Sequence, residues 1–449
     1  MAGYGVLRRP AAATLLGYLV VGRLAGAAFP IAFVIVLAAT RGYAQAALLQ
    51  GVLVAALAGS APFRARVLDR VGTRRALLPQ CVISTVATVA LAVCAGQPHV
   101  SGAVIALLTL VVALSTPALD AAVRTSWRRT ATSDAEVKAL HALDSIIEEA
   151  GFLAGPPLAA TLMLTLDVQT GIIVIAALMR AITLLTVLTP VVRRTLLADR
   201  PPTASTDPAS PTTSIAPAAS GPQKPGRTGR CTRLLSHLLG PIAQPQLRRI
   251  VTPIVVMGTS FGFLGIALPA LAAGSGAIAA SGFITAAISL GGLIGGLAYG
   301  GLKLTGSLWR RHAVISLVFG LPVIALLVAR SPWSVAAILV IAGLAVTPLY
   351  INSYLLIDQE LPDTVKHEAN TWVAVGNDLG YIIGISTGGI LLTSRHDYDA
   401  ALAGAALTGL LLVAVAIRAL MRTGHTTQSA PAADTAPPRQ AADQEDATT

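Results

Sequence analysis

Residues 200–230 read RPPTASTDPASPTTSIAPAASGPQKPGRTGR, and this run decides how the rest of the chain divides. It is crowded with Pro, Ala, Ser and Thr, and Ile215 is its one large apolar side chain. Such a segment buries too little surface to offset the entropy of ordering it, so it reads as a disordered linker over about 193–249. On either side the character reverses. The chain has 449 residues, 54% hydrophobic and 12% charged, where a soluble domain carries about 25% charge. Its mean hydropathy is +0.71. Most of the surface must face lipid.

Twelve apolar runs of about 20 residues are long enough to span a bilayer. They fall near 13–39, 43–63, 76–96, 101–123, 139–165, 170–192, 250–272, 278–302, 312–330, 333–356, 368–393 and 398–421. They are too long, and too poor in alternation, for barrel strands, so helices that satisfy their own backbone are expected. The linker splits them six and six. The expected fold is an all-α membrane protein of twelve transmembrane helices in two six-helix bundles. The expected units are a bundle over 1–192, the linker over 193–249, a second bundle over 250–422 and a disordered tail over 423–449. The first run is too long for a signal-peptide core and has no clear cleavage site, so it reads as a retained helix.

A net charge of +11 suggests nucleic acid, but the placement of the bases argues against it. With the N-terminus inside, 27 of the 32 Lys and Arg fall in the termini and the loops on that side. Arg41, Arg330 and Arg395 lie opposite, and Arg23 and Arg180 lie within spans. This is the positive-inside pattern. It places both ends in the cytoplasm of a multi-pass cell-membrane protein, with the lipid bilayer rather than nucleic acid as the partner of the bases. Cys81, Cys94 and Cys231 have no metal or disulfide spacing. There is no phosphate loop, no zinc spacing and no nucleophile elbow. No enzyme activity, cofactor or metal is expected, so energy would come from a gradient.

The 65–75 stretch, ARVLDRVGTRR, packs four arginines and one aspartate between spans 2 and 3. Asp69, Arg70, Gly72, Arg74 and Arg75 match motif A of the major facilitator superfamily, which the two-times-six layout also resembles. Ala65 stands where that motif begins with glycine. The resemblance implies a gate in which Asp69 ties the halves together, with Arg124, Arg128, Arg129 or the start of span 11 near Glu368 as partners. Arg64 and Arg66 read as topology anchors. The corresponding loop of the second half, KLTGSLWRRH over 303–312, lacks an acid.

Ionisable groups inside spans are costly and mark function. In span 5, HALDSIIEEAGFLAGPPLAATL over 141–162, Asp144, Glu148, Gly151 and Gly155 share one helix face. Gly151, Gly155 and Pro156 resemble part of motif C of drug:proton antiporters, with Ala159 and Ala160 replacing its last glycines. Glu148, Glu149 and, in span 11, Asp378 are the candidate proton carriers. Asp144 is nearer the cytoplasmic edge, where a solvated helix end is the simpler reading. Arg23 and Arg180 each need a counter-charge, or one of them binds an anionic substrate. Gly380, Gly384 and Gly388 in span 11 and Gly292, Gly296 and Gly300 in span 8 form small-residue stripes on helices where the superfamily's halves meet. The mid-span arginine of motif B is missing from span 4.

PALDAAVRTSW over 117–127, the span 5 segment and LPDTVKHEANTWVAVGNDLGYIIG over 361–384 resemble an actinobacterial branch of efflux carriers, and 28 Arg against 4 Lys fits a GC-rich genome. The resemblance implies a proton-coupled exporter of a small molecule that works as a monomer. The alternative is an uptake symporter or uniporter for a sugar or other metabolite.

Overall fold

The computed structural model describes residues 9–71, 73–117, 134–189, 244–276, 278–302, 306–329, 331–392 and 398–428. Helices fill almost all of them. In chain order they are α1 Pro10–Arg41, α2 Tyr43–Val71, α3 Thr73–Ala95, α4 Gly102–Ser115, α5 Asp134–Thr165 and α6 Val168–Leu188. The second set is α7 Pro245–Gly274, α8 Ile278–Gly301, α9 Leu308–Ile324, α10a Pro332–Gly343 with α10b Val346–Glu360, α11 Asp363–Leu391 and α12 Tyr398–Gln428. Among the described residues, nine helical segments are long and apolar enough to cross a membrane, with α10a and α10b counted as one. The other three are α4, apolar but 14 residues long, and α5 and α11, 32 and 29 residues long with charges along them. Together they make twelve crossings in two sets of six.

The residues at the ends explain the boundaries. Pro10 opens α1, where its missing N–H costs nothing, and Gly42 closes it at φ 83. Ser101 caps α4 by accepting from the Val104 N–H. Ser331 and Ser334 form a capping box ahead of α10a, with Pro332 in its first turn. Span 10 was read as one helix, and it is broken at Leu344–Ala345. Pro348 has no N–H to offer the Leu344 carbonyl, which removes one helical hydrogen bond at the break.

The two halves repeat one packing scheme. In the first, α1 packs on α5, α2 on α4 and α3 on α6; in the second, α7 packs on α11, α8 on α10a and α9 on α12. The α7–α11 pair is in backbone contact. A Cβ on Gly380 would come 2.1 Å from the Val255 carbonyl oxygen, and one on Gly384 2.0 Å from that of Thr259. From the other side, a Cβ on Gly262 would meet the Tyr381 carbonyl at 2.2 Å. The halves meet along α5–α8 and α2–α11, which includes the two helices, spans 8 and 11, expected at the seam from the superfamily layout. The glycine stripes, however, do not face that seam. Gly380 and Gly384 face α7, and Gly292 and Gly296 face Thr347 at the start of α10b. At the seam stand other glycines: Gly51 against Ser386, Gly389 against Ala47, and Gly282 against the Pro156 carbonyl. All three contacts lie toward the ends of the helices away from where α1 begins, here termed the far side.

Gly384→Leu is expected to unfold the protein or to cost at least the ~1–3 kcal/mol of an overpacked core. Gly300→Ala, where a Cβ meets nothing within 4 Å, is expected to leave thermal unfolding in detergent within a degree or two of wild type. Equal behaviour of the two variants would refute the backbone-contact account of α7–α11.

Candidate functional site

The glycine spacing in α5 sets a charge cluster. A Cβ on Gly155 would lie 2.7 Å from Ala27 Cβ and 2.9 Å from the Leu24 carbonyl oxygen, and one on Gly151 would lie 3.1 Å from the carbonyl oxygen of Arg23. Side chains at these positions would push α1 away. Without them, Arg23 lies directly across from the α5 residues one and two turns before Gly151. Its guanidinium is 3.6 Å from Glu148 Oε1 and 3.8 Å from Asp144 Oδ1. The Asp144 side chain is 5% exposed, Arg23 20% and Glu148 35%. Asp144 is therefore no solvated helix end; it is the most buried member of an arginine held between two carboxylates.

Glu149 points about 100° away from Glu148 around α5. It and Asp378 of α11 both lie within electrostatic reach of the Tyr350 hydroxyl on α10b. Beside Asp378, the buried Asn377 side-chain oxygen accepts no hydrogen bond.

Arg180 is elsewhere. It is buried between α6 and α3, donating from Nε to Thr88 Oγ1 at 2.9 Å and from a terminal nitrogen to Ser84 Oγ at 3.4 Å. It makes no ion pair among the described residues, so hydroxyls rather than the expected counter-charge receive it. Of the two intramembrane bases, the structure brings Arg23 to the acids and leaves Arg180 in the helix packing. Pro156 stands inside α5 with its carbonyl against Gly282 of α8, so the motif C-like segment touches α1 with its glycines and the other half with its proline.

The motif A-like stretch is not a loop. Asp69 and Arg70 belong to the last turn of α2, and Arg74 and Arg75 to the first turn of α3. Gly72, Arg124, Arg128 and Arg129 lie outside the described residues. Sequence reasoning missed three features nearby. Arg64, read as a topology anchor, is buried and donates to the Thr116 carbonyl at 2.8 Å and the Leu57 carbonyl at 3.0 Å. It stands at the C-terminal end of α4, where carbonyls lack partners and a cation is favoured. Tyr350 carried no motif; its signal was its place just after the Gly343 and Pro348 that break span 10. His312 and Asn352 are buried: the ring Nε2 lies 3.2 Å from the Ile250 carbonyl, and Asn352 accepts from Tyr299 and donates to the Leu308 carbonyl. This network ties α7, α8, α9 and α10b together.

No family model and no curated protein matches the chain. Solved structures do match it. A mutant form of the nucleoside transporter NupG superposes with a TM-score of 0.68 at 13% identity, over 91% of this chain and 99% of that one. A bacterial homologue of the iron transporter ferroportin, in its inward-facing state, gives 0.65 at 12%, over 91% and 98%. A bacterial homolog of the human lysosomal transporter Spinster, inward-facing and unoccupied, gives 0.64 at 14%, over 94% and 100%. The fold is that of the major facilitator superfamily. Its helices are alike where few side chains are.

Arg23→Gln would leave Asp144 buried without its cation and is expected to cost about 3–5 kcal/mol. Arg23→Gln combined with Asp144→Asn should recover most of that loss. Gly151→Leu, which separates α1 from α5 without removing a charge, should destabilise to a similar degree. Thermal unfolding of the wild type and these variants checks this, and additive losses in the double variant would show that the pair is not coupled.

Proposed function

We propose that the chain is a secondary active transporter that exports a small organic molecule in exchange for protons, its two halves rocking in alternating access. The observation that carries the reading is the arginine and four carboxylates placed inside the crossing region on α1, α5 and α11, on both sides of the seam between the halves. Ionisable groups at such depth are expensive and are kept for work. The similarity in fold to a nucleoside transporter and to bacterial homologues of an iron transporter and of a lysosomal transporter supports transport as that work.

In the proposed mechanism a proton reaching Glu148 dissolves its 3.6 Å pair with Arg23. Arg23 then falls to Asp144 alone. Glu149 and Asp378 carry the competition between proton and substrate, one from each half. The far-side contacts Gly51–Ser386, Gly389–Ala47 and Gly282–Pro156 part when that side opens. At the other end, Asp69 would latch the halves, with Arg70, Gly72, Arg74 and Arg75 shaping the α2–α3 turn around it. The basic residues favour the cytoplasm of a bacterial cell for that end, which makes the far side the outer face. The residues over 193–249 would be the linker between the halves, and one chain suffices as a monomer. Uptake of a sugar or other metabolite is the second reading, favoured by the absence of a basic residue from α4.

Metabolite profiles of cells with and without the gene should show one compound retained when the gene is missing; uptake into cells and not into everted vesicles would reverse the direction. With that compound in proteoliposomes, Glu148→Gln, Glu149→Gln and Asp378→Asn are each expected to cut substrate-driven proton movement about tenfold or more. Unchanged proton movement in all three would overturn the coupling assignment.

The seam gives a separate test. The Cβ position of Gly51 is 3.1 Å from Ser386 Oγ, close to the Cβ-to-sulfur spacing within a disulfide. In a background lacking the native cysteines, Gly51→Cys with Ser386→Cys should cross-link on oxidation and stop flux, and reductant should restore it. Flux that continues in the cross-linked protein would exclude rocking about this seam.

A further inference from the structure

We propose that the cleft between α7 and α12, at the end opposite the far side, binds an anionic phospholipid of the surrounding leaflet, its phosphate clamped by Arg249 and Arg418. The site is separate from transport and needs only a bilayer around the chain.

Two contacts fix how the antiparallel α7 and α12 lie against each other. The Ser260 and Thr408 hydroxyls are hydrogen-bonded, and a Cβ on Gly404 would lie 2.5 Å from Phe263 Cε1. Counting back from Ser260 and forward from Thr408, Arg249 comes opposite Ala419, next to Arg418. Arg249 precedes Ser260 by three turns of helix, so it stands on the α7 face that meets α12. At helical rise the two arginines lie about 15–17 Å from the Ser260–Thr408 contact, at one level.

Both arginines are exposed, and neither forms an ion pair among the described residues. These helices offer no acid at that level. α7 has none, and the one acid of α12, Asp399, is at its other end. α9, which also packs on α12, has none either. Two guanidinium charges set across one cleft repel, and neither can be relieved by losing its proton. A phosphate between them turns the repulsion into two attractions, and the planar fork of each arginine fits its oxygens. The positive-inside pattern asks only that bases stand on this side. It does not ask that two of them oppose each other.

The surroundings favour a lipid over a soluble phosphate. Leu407, Leu411, Ala414, Arg418 and Met421 recur at helical spacing and are all exposed, so Arg418 belongs to the lipid-facing stripe of α12. The apolar crossing of α12 runs Tyr398–Met421, and Arg418 lies about 13 Å from its middle. Half of a hydrocarbon core is about 15 Å. The backbone of Arg418 therefore lies just inside the headgroup boundary, and its long side chain can extend outward to the phosphates. Leu411 and Leu407 continue the stripe inward, where acyl chains run. α7 exposes no residue between Thr252 and Gly274, so Arg249 belongs to the short exposed stretch with which that helix meets this edge.

The test uses the full chain purified in detergent, titrated with dioleoyl phosphatidylglycerol, dioleoyl phosphatidylcholine and glycerol 3-phosphate. Native mass spectrometry counts the bound molecules, and thermal unfolding reports that each variant is folded. Phosphatidylglycerol is expected to bind saturably, with the other two at least about tenfold weaker. Arg249→Gln and Arg418→Gln should each weaken phosphatidylglycerol about fivefold, and the double variant should bring it down to the level of phosphatidylcholine. Arg310→Gln removes the same charge from the exposed first turn of α9, outside the cleft, and should change binding by less than about twofold. Arg249 and Arg418 are both exposed, so either single variant carries the test should the other fail to fold. Equal binding of the two lipids, or phosphatidylglycerol binding unchanged in both single variants, would overturn the proposal. So would an Arg310→Gln loss as large as theirs, since charge would then count and placement would not. Glycerol 3-phosphate binding as tightly as phosphatidylglycerol would show a phosphate site with no part for the bilayer, and would overturn it too. None of these outcomes depends on flux, so the site and the transporter reading stand or fall separately.

Discussion

Two helices in lipid gain nothing by burying one oily surface on another, because the lipid tails are as apolar as leucine. Close approach must supply the attraction instead, through dispersion and weak contacts between backbones. In this chain that constraint and the charge site are one feature. Gly151 lets α1 lie against α5, and the residue it touches on α1 is Arg23 itself. The glycine that removes the steric barrier also fixes the distance at which an arginine meets Asp144 and Glu148. A larger residue there would separate three charges in a medium where an unpaired one costs several kcal/mol. Packing and electrostatics thus stand or fall together at a single α-carbon.

The repeat between the halves makes this plainer. The pair related to α1–α5 is α7–α11, and its backbones are closer still, with Gly258, Gly262, Gly380 and Gly384 set against carbonyl oxygens. Yet no arginine and no acid pair sits between them among the described residues. On α11 the contact at the depth of Gly258 is the backbone of Asn377, and the acid next in sequence, Asp378, forms no ion pair among the described residues. One architecture is used twice, once around a salt-bridged cluster and once around bare backbone. The charged half carries its own neutralising base.

Much of this was legible in the sequence. The number of crossings and the six-and-six division followed from hydropathy, and the shared face of Asp144, Glu148, Gly151 and Gly155 followed from spacing. Where reading stopped, helix rotation was the missing quantity. Gly380 and Gly384 mark a close contact of α11 as surely from sequence as from structure, but which neighbour they meet depends on how the helix is turned, and they meet α7 rather than the seam. The same ignorance left Arg23 and Arg180 indistinguishable. Ser84 and Thr88 settle the matter in three dimensions, and nothing in their spacing announced that they would receive a guanidinium. The break at Leu344–Ala345 was masked for another reason: hydropathy stays high across Gly343–Pro348, and a window that averages apolarity cannot register a missing N–H.

That break bears on how the centre works. Tyr350 rides on α10b, so its position relative to Asp378 is set by a short helix that is not continuous with α10a. The Leu344 carbonyl, deprived of its partner by Pro348, lies against Gly295 of α8, where a Cβ would come 2.0 Å from it. The Asn352 and His312 hydrogen bonds hold the middle of α10b to α7, α8 and α9, and Glu360 at its far end accepts from Trp309 Nε1 at 3.0 Å. Tyr350 thus stands between a backbone discontinuity and the hydrogen-bonded Asn352, on a segment held entirely by helices of its own half.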